Sequence, residues 1–245
     1  MSQTHGRIER HASLPSTSDR AIALAEAGEG PWCAVLAEAQ TAGRGRHGRR
    51  WQSPPGNLYL SVLLDAQAVA APGGLGLLAG VAIAEALATL LPDGIGLHLK
   101  WPNDLVVAGR KLGGVLVEAG TRADGTKWAV AGIGVNLVTH PDDADRPATS
   151  FAALGLRPPA PDTLAEAILE RLIAWSGRAR VDGFGAIVAA WQRRAQPHGT
   201  AITVRLPAGP VSGRYAGLDT DGALLVSLED GRTRRIIAGD VFAGG

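Results

Sequence analysis

Between residues 96 and 137 the chain reads as strands joined by tight turns. Residues 96–100 lead into Pro102-Asn103-Asp104, residues 105–107 and 112–118 flank Ala108-Gly109-Arg110, and residues 127–137 follow Asp124-Gly125. Strands linked by hairpins imply an antiparallel or mixed sheet and not a doubly wound one. Further strands are expected at residues 32–39 and 57–64, the second opened by Pro54-Pro55-Gly56. Ser16-Thr17-Ser18-Asp19 before an apolar stretch over residues 21–27, with Gly28 after it, reads as an N-cap, a short helix and a glycine stop. Helices are also expected over residues 75–91, 163–175 and 185–194. The fold class is therefore α+β.

After Pro197 the texture changes. Residues 200–206, 211–218, 223–228 and 232–237 are short strands parted by Pro-Ala-Gly-Pro, Asp-Thr-Asp-Gly and Glu-Asp-Gly turns. This predicts a main domain over residues 1–195 and a small all-β domain over residues 196–245. A unit of about 50 residues is near the lower limit for independent stability, so it is expected to lean on the main domain.

Hydrophobic residues at 46% and charged residues at 19% allow a sizeable core and exclude global disorder. A net charge of +1 demands no nucleic-acid partner. The single cysteine, Cys33, excludes an intramolecular disulfide and argues against a cysteine zinc site. It fits a reducing cytoplasm, and residues 1–15 lack the apolar segment of a signal peptide. Residues 75–91 are apolar, but they carry Glu85 and end at Pro92-Asp93-Gly94. They read as a buried helix and not a membrane span, which needs roughly 20 apolar residues.

Three segments carry chemistry. Residues 41–50 hold three glycines and four arginines, so they cannot be regular structure. Glycines let backbone approach a ligand, and arginines fork onto carboxylate or phosphate. A solvated basic loop or a nucleic-acid arm is the bland alternative. Lys111 opens the apolar strand 112–117, where a lysine needs a partner or a snorkelling path. Alone it is an ordinary hairpin lysine, and Asn103-Asp104 alone is a turn pair. Gly132-Ile133-Gly134-Val135-Asn136 puts glycine inside a strand, which implies a bulge or something packed closely against it.

In order and spacing these segments resemble the catalytic domain of biotin protein ligases. The matching stretches are Ser16-Thr17-Ser18-Asp19, residues 38–51, residues 53–61, Lys100-Trp101-Pro102-Asn103-Asp104, Arg110-Lys111-Leu112-Gly113-Gly114 and residues 132–136. The likeness is close over residues 16–136 and looser at Ile237-Ala238-Gly239-Asp240-Val241. It implies a class II synthetase-like catalytic domain with a small SH3-like β-barrel, and an enzyme that makes biotinyl-5′-AMP from biotin and ATP. The biotin then passes to a lysine of a biotin carboxyl carrier domain of a biotin-dependent carboxylase. Magnesium is implied with the triphosphate, and no protein metal ligand is assigned. The resemblance places Ser16, Thr17, Ser18, Gln40, Gly43, Arg44, Gly45, Arg46 and Lys111 on biotin. It places Arg46, Arg49, Asn103, Lys111 and Asn136 on the nucleotide. Lys111, Asp104 and Arg46 are the catalytic candidates, with Lys111 bridging carboxylate and α-phosphate and Asp104 deprotonating the acceptor lysine. The tail of biotin is expected near Trp51 and the 113–115 strand.

The family often has Asn where this chain has Ser18. A hydroxyl lacks the geometry of the amide, and this bears on ureido recognition. Many members carry an N-terminal helix-turn-helix. Here the motif begins at Ser16, which implies the monofunctional type, a ligase and not a repressor, with no DNA partner and no membrane. Monomer and homodimer stay open. The rival readings are a lipoate–protein ligase and a biotin-binding or repressor module without catalysis. The Gly-Arg loop with Lys-Trp-Pro-Asn-Asp opposes the first. Lys111, Asp104 and Arg49 oppose the second, since passive binding needs no phosphate ligands.

Overall fold

The computed structural model describes residues 6–71, 73–142 and 147–243. The elements run β1 (Arg7–Leu14), α1 (Thr17–Glu26), β2 (Cys33–Gln40), β3 (Leu58–Leu64), α2 (Gly74–Ala88), β4 (Leu97–Lys100), β5 (Asp104–Val107), β6 (Arg110–Thr121) and β7 (Lys127–Val135). Then come α3 (Pro161–Asp182), α4 (Phe184–Gln192), β8 (Ala201–Leu206), β9 (Gly209–Leu218), β10 (Leu224–Ser227), β11 (Thr233–Ile236) and β12 (Asp240–Ala243). A seven-stranded sheet has the order β1-β2-β3-β7-β6-β5-β4. Only β1 and β2 are parallel among its pairs, so the sheet is mixed, as the hairpin spacing implies.

Alternation along the strands decides what each face covers. Cys33 and Val35 of β2, Leu63 of β3 and Val130 of β7 pack under Ala21, Leu24 and Ala25 of α1. Their neighbours Ala34, Leu36, Leu60, Val62, Leu64, Ala129 and Ala131 point the other way, into the main core with α2 and α3. α2 is buried nearly all round, which explains its apolar sequence, and its Glu85 accepts a hydrogen bond from Trp175 Nε1 of α3 at 2.8 Å. Among the described residues no helix is long and apolar enough to cross a membrane.

Two strands and half a helix differ from the sequence reading. β1 has no apolar alternation. It is held instead by its parallel ladder to β2 and by Arg10, which donates to Asp162 and Glu166 of α3. β12 is only four residues long and pairs with β8. α3 begins at Pro161, a residue suited to the first helical turn, and runs past Trp175 through a more polar tail to Asp182.

The C-terminal strands form an antiparallel sheet of order β11-β10-β9-β8-β12. It is not closed: β11 and β12 stand at opposite ends, so the expected barrel is present as an open sheet. Its apolar face, with Val204, Tyr215, Val226 and Val241, joins the main core as one cluster. Trp101 Nε1 donates to Gly222 O at 3.1 Å, and Gln192 Nε2 donates to Leu218 O at 3.0 Å. The sheet thus leans on the rest of the chain, as its size requires.

Candidate active site

At the N-terminus of α1, glycines of the sheet let Ser18 and Trp51 pack close to it. A Cβ at Gly132 would meet Ser18 Oγ at 2.5 Å, and one at Gly134 would meet the Trp51 ring at 2.6 Å. β6 and β7 pair without a register shift through this stretch, so close packing and not a bulge accounts for these glycines. The result is a cleft of about 340 Å³.

One end of the cleft is neutral. Ser16 caps α1 by accepting from Asp19 N at 3.3 Å. Gln40 Oε1 accepts from Thr17 N at 2.8 Å and from Thr17 Oγ1 at 3.1 Å. Ser61 Oγ shares hydrogen bonds with Thr17 Oγ1 at 2.8 Å and Ser18 Oγ at 3.1 Å. Gln40 Nε2 donates to Ser53 Oγ at 2.9 Å. These serines and Thr17 are buried, and buried hydroxyls linked in this way hold a fixed geometry.

The other end is charged. Residues 41–51 fold into a small hairpin, in which Gly45 N donates to Arg49 O at 2.7 Å and Trp51 N donates to Gly43 O at 2.9 Å. A single 3₁₀ turn, Arg46–Gly48, makes the bend, with His47 at φ 57° and Gly48 at φ 71°. Arg44 pairs with Asp19 at 2.6 Å and Glu118 at 3.2 Å. Arg49 Nη2 donates to Asp240 Oδ2 at 2.8 Å. Arg46 Nη1 lies 3.3 Å from Asp240 Oδ1 and 3.4 Å from Asn103 Oδ1, and His47 Nε2 lies 3.6 Å from Asp240. One buried carboxylate of the C-terminal sheet therefore gathers Arg46 and Arg49 of the loop.

Between the two ends, Lys111 Nζ of β6 donates to Asp104 Oδ1 of β5. The carboxylate is buried and the lysine is partly buried, so the lysine has the partner that its apolar strand requires. The ammonium also lies 5.4 Å from the Trp51 ring centroid. Trp51 Nε1 is buried and has no hydrogen-bond partner among the described residues, a donor that a ligand could use. The backbone of Lys111 is fixed on both sides: Lys111 N donates to Pro147 O at 2.8 Å, and Thr149 N donates to Lys111 O at 2.9 Å.

All the candidate residues line this cleft except Gly43, which stands behind its wall against Ser53 and Trp51. Asn103 and Asn136 are partly engaged elsewhere, their Nδ2 atoms donating to Val115 O at 2.8 Å and Thr149 O at 3.0 Å. Asp240, Arg205, Phe242, Pro141 and Ala148 also line the cleft and were not singled out from the sequence. Only Asp240 had a signal, its place in the looser C-terminal likeness.

Residues 16–136 match the Biotin/lipoate A/B protein ligase family, and residues 198–244 match the Biotin protein ligase C terminal domain. A Biotin--[acetyl-CoA-carboxylase] ligase of Paracoccus denitrificans is 33% identical over 96% of this chain and 99% of that protein. The biotin protein ligase of Aquifex aeolicus, solved with biotin and ATP, superposes with a TM-score of 0.84 at 26% identity, covering 98% of this chain and 100% of that one. The Leishmania major biotin protein ligase, solved with biotinyl-5-AMP, gives a TM-score of 0.64 at 29% identity over 95% and 99%. The chain belongs to the biotin protein ligases.

Proposed function

We propose that this chain joins biotin to ATP as biotinyl-5′-AMP and transfers the biotinyl group to a lysine of a biotin carboxyl carrier domain, that of acetyl-CoA carboxylase. The observation that carries this reading is one cleft with a neutral hydrogen-bonding end, a glycine floor on which Ser18 and Trp51 pack, and a cationic end. A ureido ring offers two N–H donors and a carbonyl, which Thr17, Ser16, Ser18 and Gln40 can match. The dithiolane of lipoate offers no such groups, and the buried hydroxyls would lose hydrogen bonds to it. From that end the tail of biotin would run past Trp51, bringing its carboxylate to Lys111.

In the first half-reaction the carboxylate oxygen attacks the α-phosphorus, the bond to pyrophosphate breaks, and charge builds on the phosphoryl oxygens. Lys111, Arg46 and Arg49 are assigned to that charge. Asn103 and Asn136 are assigned to adenine. In the second half-reaction an acceptor amine attacks the mixed anhydride and AMP leaves. Asp104 first orients Lys111 and then accepts the proton of the incoming ammonium. Magnesium is assigned to the triphosphate itself; among the described residues no group of three or more His, Cys, Asp or Glu side chains is gathered to hold a metal. The test is intact-mass measurement of a carrier domain incubated with the protein, ATP and biotin or lipoate. A single biotinyl addition with biotin and none with lipoate is expected. No addition with biotin would refute the reading.

A further inference from the structure

β8 and β12 pair antiparallel, with Asp240 opposite Arg205 and Phe242 opposite Thr203. Alternation sends Val204 and Val241 into the core. It leaves Arg205, Asp240 and Phe242 on the opposite face, and all three line the cleft. Asp240 answers the loop arginines, but Arg205 forms no ion pair among the described residues. Its guanidinium instead stacks on Phe242, with Cζ 4.1 Å from the ring centroid. Lys100 of β4, from the other sheet, brings its Nζ to 5.9 Å from the same ring. An aromatic face orients a cation but does not cancel its charge. The Arg205 guanidinium thus keeps its charge at the cleft wall, and Lys100 from the other sheet approaches the same ring.

We propose that Arg205, with Lys100 across Phe242, receives the β- and γ-phosphates of ATP and the pyrophosphate they become. This rests on the adenylation reading. A triphosphate carries more charge than an adenylate, and the departing group takes the electron pair of the broken phosphorus–oxygen bond. A fixed guanidinium fork suits that pair of phosphates. The site then acts on the first half-reaction alone, because biotinyl-5′-AMP has neither phosphate.

The test compares Arg205→Gln with wild type in three measurements. The KM for ATP in adenylation, and that for pyrophosphate in the reverse exchange, should rise by roughly ten- to a hundredfold, the worth of hydrogen bonds to a charged group. Transfer from preformed biotinyl-5′-AMP should be unchanged. Calorimetry with inorganic pyrophosphate alone should show binding to wild type and its loss in the variant. Arg205→Lys should recover part of the effect, and Arg234→Gln, on an exposed strand far along the same sheet, should show none. An unchanged KM for ATP would overturn the proposal. So would equal losses in both half-reactions, which would make Arg205 a packing residue, or a rise confined to the KM for the carrier, which would make it a docking residue. If biotin drives no exchange in wild type, the adenylation reading fails, and the pyrophosphate titration still decides the site: equal binding to wild type and variant overturns it.

Discussion

The two ends of the cleft are built by opposite means. At the neutral end, Thr17, Ser18, Gln40, Ser53 and Ser61 are linked to one another by hydrogen bonds and packed so closely that a Cβ at Gly43 would meet Ser53 Oγ and Trp51 O at 2.6 Å. At the charged end and between the two, cations are matched to carboxylates that come from elsewhere in the chain, Asp240 from β12 and Asp104 from β5. A Cβ at Gly48 there would meet nothing. The first end is complete without a ligand and can read shape. The second holds its cations in ion pairs that an anionic ligand would partly replace, which suits chemistry in which charge appears and leaves.

Exchanging charge for a neutral isostere at the charged end should give the largest effects. Asp104→Asn removes both the proton acceptor and the partner of Lys111. Transfer from preformed adenylate should fall by roughly 10²–10⁴, with part recovered at alkaline pH, where the acceptor amine is already neutral. The ion pair to Lys111 means that adenylation should fall as well, though by less. Single-turnover assays of each half-reaction from neutral to alkaline pH check this, and equal losses with no alkaline recovery would reduce Asp104 to a structural part. Lys111→Ala should cut adenylation by on the order of 10²–10³ in a folded protein, read as pyrophosphate exchange. Near wild-type exchange would remove Lys111 from the mechanism. On the glycine floor the cost should be one of fit. Gly134→Ala drives a methyl into the Trp51 ring and should destabilise by about 1–3 kcal/mol while raising the KM for biotin, as thermal melts and kinetics would show. A variant as stable and active as wild type would mean that the floor is not tightly packed.

The sequence and the structure agree best where information is local. The cap at Ser16 and the turn at Ala108-Gly109 (φ 48° and 74°) each depend on a few neighbouring residues and could be read, whereas the strand glycines read equally as a bulge and only the structure shows the close contact. β1 was missed because its support comes from parallel pairing and from arginine contacts to α3, neither of which leaves a periodic trace. The site shows the same division. Lys111, Asp104 and the arginine loop form motifs that can be recognised along the chain. That Asp240 would close over the loop from nearly 200 residues away, or that Arg205 would stand at the cleft, depends on how the second sheet docks, and no local pattern encodes that.

The separation of the two ends is tested most directly by pyrophosphate exchange in two variants, with KM determined for both substrates. Thr17→Val, which removes a hydroxyl from the neutral network, should raise the KM for biotin several-fold and leave that for ATP unchanged. Arg49→Gln, which removes a cation from the charged end, should do the reverse. If each variant instead raised both constants alike, the cleft would be a single coupled site, and the division of labour between its ends would be wrong.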